Sequence, residues 1–263
     1  MDLKRWAALG IVAVAACAGG PALTQAQAQA QASAGDVACG LGPPPGSPGF
    51  AQAMARHEAE VRARGYELVC DANLARYDIP WKMRPLPDTR LAFEPVDLSR
   101  TPFARLEDMG NQVETVMGVR ARLYRRFGLP DGHTVVLSEH DLSADGIHTW
   151  RAPKDEPERV DGRPARLVVL QTASGRAVSD LTWVEGRRDY ELWIDANVGR
   201  RGPLRDRMFA LAASLPASIA ACPNEPPAKP VRMGPDGMPM SDPWPAVLTQ
   251  ADLDAMNKPR PCK

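Results

Sequence analysis

Between Pro164 and Pro216 the apolar positions fall into the most regular pattern in the chain. Leu167, Val168, Val169 and Leu170 form an unbroken apolar run of strand length, the pattern of a strand covered on both faces. Leu181 and Trp183 then alternate with Asp180 and Thr182. Tyr190, Leu192 and Ile194 alternate with Glu191, Trp193 and Asp195, the period of half-buried strands. Thr172 to Gly175 and Glu185-Gly186 supply turn chemistry between the runs. Leu204, Met208, Leu211, Ala212 and Leu215 follow at helical spacing, with Pro203 at the first helical position and Pro216 ending the pattern. The spacing predicts three hairpin-connected strands with a helix laid on them.

Upstream the pattern is less regular. Ser47-Pro48 opens a helix in which Phe50, Met54, His57 and Val61 share one side and Gly65 closes the run. Tyr66 to Cys70 reads as a short strand. From Asp71 to Phe103 five prolines interrupt any long element, and Trp81 reads as a plug packed on the core. Leu106 to Phe127 is expected to be a helix, with Val113, Val116, Leu123 and Phe127 on one stripe and Arg120, Arg122, Arg125 and Arg126 on the other face. That basic face reads as solvated surface, with an anionic membrane or an acidic partner as the alternative. Thr134 to Glu139 and Ile147 to Arg151 are expected strands around a loop at Asp141 to Gly146, and Lys154 to Arg163 is a charged connection. The sum is α+β: an antiparallel meander of about five strands between residues 133 and 196, packed by two helices.

Composition adds boundaries. Proline is 26 of 263 residues, about twice the usual share of roughly 5%. The prolines gather at 43–48, 80–102 and 223–261, which places Pro-rich flanks around a core. The expected division is 1–30 an export signal, 31–105 an N-terminal helix with an irregular segment, 106–220 the α+β core, and 221–263 a tail. In that tail Thr249 and Asp252 start a short helix. Lys4 and Arg5 followed by the apolar run Trp6 to Ala16 make a charged n-region and a segment too short to span a bilayer. Ala26-Gln27-Ala28 offers ordinary cleavage. Val14-Ala15-Ala16-Cys17 instead resembles the lipobox of bacterial lipoproteins, which would lipidate Cys17. Both exits predict an exported protein, periplasmic or lipid-anchored to the envelope, with membrane contact only through that lipid. The formal net charge is zero, so no global field favours nucleic acid.

With Cys17 set aside, Cys39, Cys70, Cys222 and Cys262 remain, and four cysteines in an exported chain read as two disulfides. Cys39–Cys70 and Cys222–Cys262 are favoured because each ties a Pro-rich flank to the nearest ordered element; pairing across the two ends is the alternative. Each loop would contribute about 3–4 kcal/mol in the chain-entropy model. No CxxC spacing suggests a zinc or redox motif.

Few residues suggest chemistry. His133, His140 and His148 share a hairpin-sized window with Glu139 and Asp141, and Met233, Met238 and Met240 lie in RMGPDGMPM. Together these are the donors of a periplasmic copper or zinc protein. Polar strand-edge histidines and flexible methionine packing are the competing roles. Ser138, Glu139, His140 and Asp141 are triad residue types, but alternation puts Ser138 and His140 on one side of a strand and Asp141 on the other. No GxSxG, P-loop or dinucleotide fingerprint occurs.

The runs GRPARLVVL, LTWVEGRRDYELWI and LRDRMFALAASLP, within residues 162–216, resemble the small C-terminal sheet-plus-helix domain of bacterial envelope and anti-sigma-type lipoproteins. That resemblance implies a non-catalytic module and assigns no functional residue. The expectation is an exported envelope protein, not an enzyme, with a binding or accessory role toward a protein or small-molecule ligand. An immunity-type inhibitor fits this profile. The alternative is the copper or zinc binding protein.

Overall fold

The computed structural model describes residues 43, 46–78, 86–88, 90–116, 118–145, 156–224 and 249–250. Its framework is one mixed sheet of eight strands in the order β1-β6-β7-β8-β4-β3-β2, with β5 also paired to β6. The strands are β1 (Glu67–Val69), β2 (Glu107–Val116), β3 (Val119–Gly128), β4 (Thr134–Asp141), β5 (Glu158–Val160), β6 (Arg163–Thr172), β7 (Ala177–Glu185) and β8 (Arg188–Ile194). All pairs are antiparallel except β1 against β6. Accompanying the sheet among the described residues are the α-helices α1 (Phe50–Arg64), the single turn α2 (Leu142–Asp145) and α3 (Pro203–Ala213).

The α+β class stands, and the sheet is larger than expected and differently wired. Two three-stranded meanders, β2-β3-β4 and β6-β7-β8, lie side by side, joined where β4 pairs with β8. The expected helix over Leu106 to Phe127 is instead the β2–β3 hairpin, so α3 alone of the two expected covering helices packs on the sheet. The reason lies in the sequence. Val119, Ala121, Leu123 and Phe127 occupy every second position, and the stripe that looked helical arises by coincidence where the chain reverses. Gly118 turns that corner at φ 76°, which L side chains rarely adopt. The expected basic helix face is therefore divided. Arg125 lies buried on one face of the sheet, Arg122 and Arg126 are half-buried on the other, and Arg120 is exposed.

Alternation gives the sheet two unlike faces. The inner face carries Leu137, Leu181, Trp183, Tyr190, Leu192 and Ile194, buried under Met208, Leu211 and Ala212 of α3 and under Val96 and Phe103. Trp183 and Tyr190 stack there with ring centroids 5.1 Å apart. The outer face carries a smaller cluster, in which Tyr124, Val136, Val178 and Trp193 are covered by Leu74 and Tyr77 of a three-ten helix over Asp71–Tyr77. Trp183 and Trp193 are thus packing residues on opposite faces. β1 and residues 93–105 belong to this same sheet and core, across the expected boundary at residue 105. In α1, Phe50, Met54, His57 and Val61 form a half-buried stripe beside β1. A Cβ on Gly199 would lie 2.2 Å from the Gly65 carbonyl oxygen, so only glycine permits that approach between the end of α1 and the loop after β8. No helix among the described residues is long and apolar enough to cross a membrane.

Candidate binding site

Three groups of polar side chains merit comparison, and only one is open to a ligand. The first is a charge cluster on the inner face. Glu139 on β4 is paired with Arg125 of β3, and its Oε2 accepts from Arg188 Nη1 of β8 at 3.0 Å. The same oxygen accepts from the backbone N–H of Val96 at 3.0 Å, and Arg125 donates to the Val96 carbonyl at 3.0 Å. Arg188 donates to Asp141 Oδ2 at 3.1 Å, to the carbonyls of Glu94 and Ile219, and lies 4.1 Å from the centre of the Phe93 ring. Asp141 also accepts from the N–H groups of Ser143, Ala144 and Ala221. Burial pulls the Arg125 guanidinium below its ordinary value, against the pull of Glu139. Every bond runs to another part of the chain. This cluster fastens residues 93–98 and 219–222 onto the sheet.

The second group is on the outer face. As alternation required, Ser138 and His140 share that side and Asp141 does not. His140 Nε2 lies 2.6 Å from Asp145 Oδ2, and its Nδ1 lies 3.2 Å from Arg122 Nη2. A guanidinium can only donate, so Nδ1 is the acceptor and Nε2 carries the proton that Asp145 receives. Both ring nitrogens are committed. Held this way, His140 has no lone pair left for a Ser138 proton or for a metal. His133 precedes β4 and His140 nears its far end, seven residues on, so about 23 Å of strand separates them. No group of three or more His, Cys, Asp or Glu among the described residues could hold a metal ion. His148, Met233, Met238 and Met240 lie outside the described residues, as do Trp81, Cys17, Cys39 and Cys262. Cys70 and Cys222 are both disulfide-bonded, and the expected pairings with Cys39 and Cys262 fall outside the described residues.

The third group surrounds a cleft of about 790 Å³ at one end of the outer face, where the start of β4, the end of β8 and the β6–β7 turn meet. Val136, Val178 and Trp193 form its apolar floor. One row crosses the sheet there through consecutive cross-strand partners: Arg126 on β3, Val136 on β4, Trp193 on β8, Asp180 on β7. Trp193 is wedged between two tyrosines, with ring centroids 5.6 Å from Tyr77 and 5.8 Å from Tyr124. Tyr77 is held by its hydroxyl donating to Asp180 Oδ2 at 2.9 Å. The rim is charged. His133 Nδ1 lies 3.0 Å from Asp195 Oδ1, which also accepts from the Thr134 N–H, and Arg176 pairs with Asp78.

Arg126 differs from these. It lines the cleft half-buried, and among the described residues it makes no hydrogen bond or ion pair. The helix expected over Leu106 to Phe127 would carry this arginine on its basic face; in the structure it stands on β3. The alternation of Val119 through Phe127 was the available signal, since it sends Arg120, Arg122 and Arg126 to the side opposite Leu123 and Phe127. The cleft itself has no local signal, because its walls come from five separated segments.

No family model, no curated protein and no solved structure matches the chain.

Proposed function

We propose that the chain is an exported, non-catalytic binding protein of the bacterial envelope, and that the outer-face cleft is its ligand site. Export rests on the N-terminal charge and apolar pattern. The binding role rests on one observation: a half-buried guanidinium, free of any protein partner among the described residues, at the edge of an apolar-floored cleft of small-molecule size. The other two polar clusters are consumed by the fold, and no nucleophile and base are assembled among the described residues. Cys39–Cys70 and Cys222–Cys262 disulfides fit this role by tethering the Pro-rich flanks beside the sheet.

Native mass spectrometry of the protein released gently from the periplasm is expected to show a bound small molecule. Thr134→Trp, which narrows the cleft from a half-buried strand position, is expected to lose it while keeping the wild-type far-ultraviolet spectrum. A wild-type protein that emerges empty, or a ligand retained by Thr134→Trp, overturns the assignment.

A further inference from the structure

We infer that the ligand is a small organic acid, whose single anionic group seats on Arg126 and whose apolar body lies over Val136 and Val178. This inference rests on the cleft being the binding site and concerns its chemistry. Around the cleft Arg176 is paired with Asp78, and Asp195 accepts from the Thr134 N–H and lies 3.0 Å from His133 Nδ1. Arg126 remains as a lining cation whose side chain has no ion-pair partner among the described residues. A guanidinium presents a planar fork of donors that matches the paired oxygens of a carboxylate or phosphate. In a partly desolvated cleft that pairing is stronger than at open surface.

Opposite Arg126 the neighbouring strand departs from regular structure, while Arg126 stays in register with Val136 on β4. On β2 the register shifts between Asp108 and Asn111, which pair with Phe127 and Arg125. Two β2 residues, Met109 and Gly110, therefore stand opposite Arg126. Bulges of this kind bend the strand and re-aim neighbouring side chains. The irregularity falls beside the cleft, while the partners of Arg125 and Phe127 remain in register for the core.

Calorimetric titration of the mature chain with benzoate, phenyl phosphate and neutral benzamide tests the inference. One of the two anions is expected to bind wild type, benzamide is not, and the preferred anion separates a carboxylate from a phosphate ligand. Arg126→Gln is expected to weaken the anion about tenfold or more, with an unliganded melting temperature unchanged from wild type. Arg126→Lys retains the charge but loses the fork, and is expected to fall between the two. Equal binding of benzamide, undiminished binding by Arg126→Gln, or silence toward all three probes overturns the organic-acid assignment. A neutral or cationic ligand recovered from the periplasm, and lost in Thr134→Trp, would refute the anion while leaving the cleft as the binding site.

Discussion

Two buried arginines, Arg125 and Arg188, converge on Glu139, whose side chain is fully enclosed. Each of the three sits at a core-facing position of its strand. Arg125 falls between Leu123 and Phe127, Glu139 follows Val135 and Leu137, and Arg188 precedes Tyr190 and Leu192. A charge standing in the apolar register of a strand was therefore the legible sign of a buried ion cluster. Removing the carboxylate leaves the buried Arg125 without its ion partner and Arg188 with Asp141 alone. Glu139→Ala is accordingly expected to cost about 3–5 kcal/mol, read from urea denaturation midpoints, whereas Arg126→Gln is expected to stay within about 0.5 kcal/mol of wild type. Two arginines on adjacent positions of one strand thus separate by role: one holds the fold, the other faces the cleft.

At the scale of elements, the β2–β3 hairpin carries apolar residues at helical spacing without being a helix. Val113, Val116, Leu123 and Phe127 are spaced as on a helix, yet each lies in a strand, and only the turn between β2 and β3 reconciles the spacings. Gly118 distinguishes the two structures by sign. In a helix interior, Gly→Ala stabilises by about 1 kcal/mol; at a positive-φ turn it costs about 1–2 kcal/mol. Gly118→Ala is expected to lower the melting temperature, and a rise would contradict the hairpin. Elements with strong local signatures were legible: β1, β4, β6, β7, β8, α1 and α3 all fall where alternation, apolar runs and Pro or Gly punctuation placed them. The pairing of β4 with β8 was not, because binary pattern records which side of a strand is buried and says nothing about its distant neighbour.

For the whole molecule, the two faces are coupled through the tyrosines. Burial is the main cause that pushes the phenols of Tyr77, Tyr124 and Tyr190 well above the ordinary tyrosine range, helped by the Asp180 charge at Tyr77 and the Glu114 hydrogen bond at Tyr124. A raised value in the folded state means the unfolded chain gives up its protons first. The stability held by these groups is complete below about pH 10, the unfolded value, and declines as the pH rises beyond it. Tyr77 and Tyr124 lie on the outer face and Tyr190 on the inner, so their ionisation requires both faces to open. Most of the phenolate absorbance is therefore expected to appear in step with loss of circular dichroism, in one alkaline transition. A smooth titration completed while the sheet remains folded would contradict the burial of all three.

The seam between β4 and β8 carries a consequence for how the chain reaches its native state. Asp141 pairs with Arg188 and Val135 with Ile194, so the seam closes only after the whole second meander has been made. Until then β4 is an open strand edge with Val135, Val136 and Leu137 in a row, the kind of edge that recruits other chains. Glu139 is already met there by Arg125 of β3, but Asp141 stands on that same strand without its cation until Arg188 arrives. Before it becomes part of the core, Asp141 disfavours any strand that does not bring its own arginine.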